Sequence, residues 1–355
     1  MEPEQRKSAF VQLGQIFLHL GNNEPWPGFA SGLNEEEYAH WQHLIETAHH
    51  HNGWFTVENV RRALKAWGEN LKESNLNQWL ENYNLASSAH TAKKKVGIVM
   101  AGNIPMVGFH DLLSVLITGH TAIVKLSSDD KLLIPLAVKT LAQFEPEIEK
   151  QVQFTERLKD IDAVIATGSN NTGRYFEHYF SKYPNIIRRN RNSMAIVEDS
   201  TSAEDLAALG DDIFAFFGLG CRNVTKVFLP SGFDIDRLFK AIYSFHEIVN
   251  HNKYANNYDY HKALYLLNRE PLLDNGFILL REHPQLHSAL GTLHYEFYES
   301  SAVVEQYMKD HEDEIQCIVA DKKWAEDAVE PGFSQRPALW DYADRIDTLE
   351  FLRKL

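Results

Sequence analysis

After the basic run Lys93-Lys94-Lys95, short apolar runs recur at 96–100, 122–125, 163–166 and 194–197, separated by stretches of helical periodicity. Strands alternating with helices fold as βαβ units, so this half of the chain is constrained to a parallel sheet covered on both faces. The first crossover helix is expected from 106 to 117, ending near Thr118-Gly119-His120 with Gly119 at its C-cap. The next is expected after Ser127-Ser128-Asp129-Asp130, whose short polar side chains suit N-caps. A second block of the same kind follows with a strand at 224–229, the turn Pro230-Ser231-Gly232 and a helix from 235 to about 248. Cys317 sits in an apolar run that also reads as a strand.

Ahead of the sheet, residues 1 to about 90 are helical in pattern. Phe10, Leu13, Ile16, Phe17 and Leu20 share one face, as do Val60, Ala63, Leu64 and Trp67. Trp67, Trp79 and Tyr83 read either as an acyl pocket or as the plain core stripe of a helical layer. Beyond residue 330, Pro331, Gly332 and Pro337 mark what looks like a connecting tail.

The chain has 355 residues, 44% of them hydrophobic, enough for two packed domains. Its formal net charge of -14 argues against nucleic acid or an anionic membrane as partner. No apolar run approaches the length of a membrane helix. Two cysteines cannot make a disulfide framework, and the start Met1-Glu2-Pro3-Glu4-Gln5-Arg6 lacks the regions of a signal peptide, so a reducing, cytoplasmic setting is expected. The 17 histidines show no metal-ligand spacing, and no metal site is expected.

Four motifs carry chemistry. Gly102-Asn103-Ile104-Pro105 follows a strand; an amide fixed beside a proline suits an oxyanion donor, although Asn103 could equally cap the next helix. Ile123-Val124-Lys125-Leu126-Ser127-Ser128 ends a strand in a lysine placed for a ribose, at the edge where open α/β sheets bind nucleotides. Thr167-Gly168-Ser169-Asn170-Asn171-Thr172-Gly173 has the glycine spacing of a phosphate loop. Arg174-Tyr175 stand where nucleotide hydrolysis needs Lys and Ser/Thr, so the segment reads as a pyrophosphate-binding turn or an ordinary βα turn. Phe216-Phe217-Gly218-Leu219-Gly220-Cys221 presents a thiol from a Gly-x-Gly turn beside Arg222, whose charge would favour the thiolate unless it points into an ion pair. A lone cysteine is otherwise core filler, the expectation for Cys317.

In order, these motifs resemble those of the aldehyde dehydrogenase superfamily, and most closely the LuxC-type acyl-CoA reductases. The resemblance rests on Ala101-Gly102-Asn103-Ile104-Pro105, Lys125-Leu126-Ser127-Ser128 and Gly218-Leu219-Gly220-Cys221-Arg222-Asn223, and extends weakly to Trp340-Asp341-Tyr342-Ala343-Asp344. It implies an α/β fold with a Rossmann-like parallel-sheet cofactor domain at 91–198, a catalytic α/β domain with the nucleophilic cysteine at 199–330, a helical N-terminal cap at 1–90 and a tail at 331–355. It implies Cys221 as nucleophile, Asn103 as oxyanion donor, and Lys125, Ser127, Ser128, Thr167, Gly168 and Ser169 as cofactor-binding residues.

Two departures refine the expectation. Arg188 stands where hydrolytic members carry the Glu that activates water, which favours reduction of a thioester over acid formation. Ser128 stands where NAD-selective members often carry Glu, so with Lys125 it favours NADP(H). The expected activity is reduction of a fatty acyl-CoA or acyl-protein thioester to an aldehyde through an S-acyl-cysteine. Alternatives are an acyl-phosphate reductase or a non-catalytic acyl-carrying, docking subunit. His251 and His261 are the nearest downstream histidines for a base, each otherwise structural. The resemblance also implies a homo-oligomer, though 355 residues leave less chain for the arm that builds one.

Overall fold

The computed structural model describes residues 2–83 and 93–355, and the expected boundary between residues 90 and 91 lies outside them. Two compact units divide the chain: Met1–Arg189 with Ala338–Leu355, and Asn190–Pro337.

The first unit opens with helices α1 (Pro3–Gly21), α2 (Glu35–His51), α3 (Val57–Asn70) and α4 (Glu73–Leu80). Their starts follow from local chemistry: Pro3 lies in the first turn of α1, Asn34 and Glu37 form a reciprocal capping box on α2, and Thr56 accepts from Asn59 N–H at the start of α3. The strands are β1 (Lys95–Val99), β2 (Thr121–Lys125), β3 (Val152–Phe154), β4 (Ala163–Thr167) and β5 (Asn185–Arg188), with helices α5 (Phe109–Ile117), α6 (Leu133–Phe144) and α7 (Asn170–Phe180) between them. All five strands pair in parallel in the order β3-β2-β1-β4-β5.

One core runs from the helices into the sheet, joining Phe10, Leu13 and Phe17 of α1 to Val96, Ile98 and Val124. The N-terminal helices therefore share the core of the sheet rather than capping it. A smaller cluster, Val99, Ile123, Val164 and Ala166 with Phe176 and Phe180, covers the other face. Trp67 packs edge-on against Phe109 at 4.8 Å, and Trp79 is buried, its Nε1 donating to Tyr342 Oη at 2.8 Å. Of the two readings of the aromatic stripe, core is the one observed for these rings.

The second unit contains β6 (Asn192–Ile196), α8 (Ala203–Phe214), β7 (Val224–Pro230), α9 (Ile235–Ala241), α10 (Asn252–Leu267), β8 (Leu273–Asp274), β9 (Leu279–Glu282), β10 (Thr292–Tyr298), α11 (Ser301–Asp310) and β11 (Ile315–Val319). The strand order is β11-β6-β7-β10-β9-β8, parallel except for β8 against β9. Every residue of β7 is buried, as a central parallel strand requires. Cys317 on β11 is buried, as expected of core filler. The helix expected from 235 to 248 is α-helical only to Ala241 and continues as 3-10 turns over Ile242–Asn250.

Three sequence expectations differ from the structure. The strand at 192–196 pairs with β7 and β11 of the second sheet, so the chain divides at 189/190 rather than at 198/199. Helix α5 begins at Phe109 with Gly108 as N-cap, because Met106 takes a left-handed φ of 61° that no helix can continue through. The segment expected as a connecting tail instead buries Leu339, Leu349 and Leu352 in the first unit's core and ends in α12 (Thr348–Arg353).

Candidate active site

In the first unit, Asn103, Lys125, Ser127, Ser128, Thr167, Gly168 and Ser169 all lie at the C-terminal ends of β1, β2 and β4, three adjacent strands. The strand order reverses direction between β1 and β4, the switch point where open sheets leave a crevice for ligands. Lys125, Ser128, Ser169 and Asn103 are exposed there. Asn103 does not cap α5, since Gly108 holds that position.

The loops that carry these residues are interlocked. A Cβ at Gly102 would come within 2.5 Å of Ser127 Oγ, so the chain after β1 approaches the loop after β2 as only glycine permits. Asp130, expected as an N-cap, instead accepts from Met106 N–H at 3.0 Å and so holds the left-handed residue that closes the Asn103 loop. Burial pushes the Asp130 carboxyl up to about 6, opposed by the amides of Met106 and Leu133. Ser169 caps α7 by accepting from Thr172 N–H at 3.3 Å, and a Cβ at Gly168 would meet Phe176 at 2.9 Å. A glycine cradle at a capped helix N-terminus, beside exposed lysine and serine, fits a dinucleotide. The phosphate-loop spacing is coincidental, because Gly173 lies inside α7.

Cys221 belongs to the second unit and is half-buried in the turn before β7. The backbone leading to it is strained: Phe216 (φ 53°), Phe217 (φ 59°) and Gly218 (φ 78°) are consecutive left-handed residues. Each phenylalanine in that region costs about 1–2 kcal/mol. Asn223, fully buried, offsets this cost. Its Nδ2 is shared between the carbonyls of Asp212 (3.0 Å), Ile213 (3.3 Å) and Ala215 (2.9 Å), and its Oδ1 accepts from Gly220 N–H at 2.7 Å. These bonds satisfy carbonyls at the C-terminal end of α8 and pin the residue before the cysteine. Asn223 N–H donates to Gly220 O, closing a turn around Cys221, and Ser193 Oγ donates to Cys221 O at 3.0 Å. The Asp212 carboxylate accepts from Gly332 and Ser334 N–H at 2.6 and 2.9 Å, and burial raises its pKa to about 6.

A cavity of about 170 Å³ lies against this turn. Gly218, Leu219 and Gly220 line one side, with Phe214, Phe217 and Tyr254 adding aromatic wall and Thr292 a hydroxyl. His251 stacks on Phe217 with ring centroids 4.2 Å apart, and His261 stacks on Tyr265 at 5.9 Å. A wider depression on the helices of the first unit, lined by Glu4, Lys7 and Asn77 among others, has neither thiol nor strand end beside it.

Arg188 ends β5 and is buried, its Nη1 gripping both oxygens of Asp111 at 2.7 and 2.8 Å and its Nη2 donating to Thr348 Oγ1 at 2.9 Å. Arg188 is thus a charged clasp on the C-terminal segment. Asp111 and Asp212 escaped the sequence reading, and neither Asp130, expected as an N-cap, nor Asn223, quoted within the Cys221 motif, was given its holding role. For Asp111 and Asp212 a signal existed: each is an acid in line with the apolar face of its helix.

Among the described residues no helix is long and apolar enough to cross a membrane, and no group of three or more His, Cys, Asp or Glu gathers as a metal site would. No curated protein matches the chain. Solved structures match throughout: an aldehyde dehydrogenase from Bacillus cereus in an NAD+ complex (12% identity, TM-score 0.61, 93% of this chain and 75% of that one); aldehyde dehydrogenase 21 from Physcomitrella patens with the product succinate (12%, 0.68, 100% and 84%); and an aldehyde dehydrogenase from Mycobacterium tuberculosis complexed with NAD+ (13%, 0.63, 93% and 77%). At such identity these establish the fold, which is that of the aldehyde dehydrogenases. The model of the family described as acyl-CoA reductase (LuxC) matches residues 41–237, more than half of the chain and the whole stretch from Asn103 to Cys221. The chain belongs to the LuxC acyl-CoA reductase family.

Proposed function

We propose that this protein is a cytoplasmic NADPH-dependent acyl-CoA reductase that makes an aldehyde through an S-acyl-cysteine on Cys221. The observation that carries the reading is the turn around the half-buried Cys221: a strained backbone whose main chain is held by the buried Asn223 amide and the Ser193 hydroxyl. A fold spends strain in this way where a side chain has to be aimed.

Cys221 Sγ, as thiolate, bonds to the thioester carbonyl carbon while the carbonyl oxygen takes the negative charge. The Asn103 amide and the Cys221 backbone N–H are assigned to that oxygen, each donor worth about 3–4 kcal/mol of barrier. Collapse breaks the carbon–sulfur bond to CoA, which leaves as its thiolate. Arg188, held by Asp111, supports reduction over hydrolysis, since a buried guanidinium cannot take a proton from water. Lys125, Ser127 and Ser128 would hold the adenosine ribose and its phosphate, and Thr167, Gly168 and Ser169 the pyrophosphate. When bound, the reduced nicotinamide supplies the hydride that the acyl carbon accepts. Cys221 Sγ then departs from the resulting thiohemiacetal, and the aldehyde is released.

Following NADPH oxidation at saturating acyl-CoA tests this. Cys221→Ser is expected to lower the rate by at least about a thousandfold. Parent-level turnover by that variant removes the mechanism.

A further inference from the structure

Arg188 is the last residue of β5, and its main chain and side chain hold different neighbours. Its carbonyl accepts from Gly168 N–H at 3.2 Å, one residue beyond the point where Thr167 and Arg188 stand in register. The turn that closes β4 and opens α7 therefore hangs from the Arg188 peptide. Its buried guanidinium grips Asp111 on α5 and, through Nη2, Thr348 at the start of α12. The next residue lies against α7 as well: a Cβ at Gly173 would come within 3.0 Å of Arg189 Cγ, and the Arg189 guanidinium pairs with Glu177. With the Gly168 amide committed, the donors left for an anion are the first amides of α7, which no carbonyl of that helix can satisfy. Their direction follows the turn.

Stability does not account for the clasp. The Arg188 and Asp111 side chains are 6% and 8% exposed, and a buried ion pair is a weak source of stability that an apolar pair of similar bulk often equals or exceeds. Arg188 Nε is buried and meets no hydrogen-bond partner among the described residues, which is a further cost. What the pair supplies is direction, since a planar guanidinium held by both Asp111 oxygens and Thr348 Oγ1 has one position. The far end is itself held. Thr348 is fully buried, Leu349 and Leu352 sit in the core, His120 Nε2 donates to Leu352 O at 3.0 Å, and Tyr83 Oη donates to Asp347 Oδ2 at 2.7 Å.

We propose that Arg188 is a positioning residue for the cofactor, and that the C-terminal segment Ala338–Leu355 sets dinucleotide affinity through it, by fixing the 167–169 turn and the first amides of α7. The inference rests on the reading of that turn as the pyrophosphate seat. It adds a determinant of binding that lies behind the strand ends, among residues that touch no ligand.

Full-length wild type, Thr348→Val, Thr348→Ser and the double variant Arg188→Met with Asp111→Leu are compared by NADPH fluorescence titration, by urea unfolding and, without nucleotide, by amide exchange over residues 167–172. Thr348→Val removes one hydrogen bond at constant bulk and should raise the Kd for NADPH about fivefold, while Thr348→Ser should stay within about twofold of wild type. The double variant should unfold at the urea concentration of wild type or above it, yet raise the Kd by about tenfold or more. Thr348→Val and the double variant should also exchange the 167–172 amides faster than wild type. Wild-type affinity for NADPH in both overturns the proposal. Amide exchange then tells which step failed: faster exchange means that the clasp reaches the turn but the pyrophosphate binds elsewhere, whereas unchanged exchange means that the clasp is structural alone and leaves the cofactor site standing. If the double variant does not fold, Thr348→Val against Thr348→Ser decides, equal affinities overturning the proposal. A wild type that binds no NADPH defeats the cofactor reading and the proposal together.

Discussion

The loop carrying Asn103 and the turn carrying Cys221 solve one problem with different means. Each contains bulky residues in left-handed conformation, Met106 in the first and Phe216 with Phe217 in the second. Each has a buried aspartate beside it whose carboxyl rises to about 6: the Asp130 carboxylate holds Met106 directly, whereas Asp212 meets Asn223 through its main-chain carbonyl and turns its carboxylate to Gly332 and Ser334. The Cys221 turn has in addition the Asn223 side chain, which bonds to four main-chain groups, whereas the Asn103 loop relies on the amide of Met106 and the tight approach of Gly102 to Ser127. The turn before β7 is thus over-determined by one buried side chain, while the loop after β1 is held through a carboxylate on the next loop.

The most severe way to break this comparison is Asn223→Ala. It removes one acceptor and two hydrogens from a fully buried site, leaving Gly220 N–H and three carbonyls to find other partners. At about 1–3 kcal/mol for each unsatisfied group, partly relieved by water, urea unfolding should show a loss of about 4 kcal/mol. At equal folded fraction, alkylation of Cys221 should change rate, because the turn is no longer fixed. A loss below about 1 kcal/mol with unchanged alkylation would mean that the strained backbone holds itself. Asp130→Ala, at the less firmly held loop, should cost no more than half as much.

The two aspartates sharpen the comparison through pH. A carboxyl whose pKa is near 6 folded and 3.8 unfolded binds its proton more tightly in the native state. Its stabilising contribution is therefore full below about pH 4 and is lost as pH rises through 6. The shift corresponds to about 3 kcal/mol for each residue. Urea unfolding of wild type against Asp212→Asn and Asp130→Asn between pH 4 and 7 should show the wild type losing about that much relative to each variant. Parallel curves would show that both carboxylates stay ionised and that their amide partners outweigh burial.

Much of this architecture was legible because it depends on short-range pattern. The apolar runs gave β1, β2, β4, β6 and β7 within a residue or two, and the glycines marked the turn before Cys221 and the C-cap at Gly119 (φ 86°). Strands β3, β5, β9 and β10 were not read, being short, edge-placed or mixed in polarity, as in Thr292-Leu293-His294-Tyr295. What fixes the candidate site was least legible. The partners of Asn223 lie 8 to 11 residues upstream at a helix end, and Arg188 meets Asp111 and Thr348 across 77 and 160 residues. Such pairings follow from topology, and no local pattern announces them. The C-terminal segment looked like a tail for the same reason, since its hold on the first unit comes from the core leucines and from His110, His120 and Arg188 far back in the chain.

The mildest test concerns the exposed strand ends, where binding rather than folding should respond. Ser128 is exposed, so Ser128→Glu should leave the unfolding curve within about 0.5 kcal/mol of wild type. A carboxylate there would face the 2′-phosphate that Lys125 is proposed to pair with. Two like charges about 4 Å apart in a largely aqueous setting repel by about 1 kcal/mol or somewhat more. The KM for NADPH should rise about tenfold while that for NADH stays level or falls, and added salt should shrink the difference. The contrast with Asn223→Ala then becomes quantitative: one substitution changes stability and thiol reactivity together, the other changes cofactor choice alone. Equal KM values for the two cofactors in wild type and variant would place the ribose phosphate away from Ser128 and leave Lys125 as a solvated strand-end lysine.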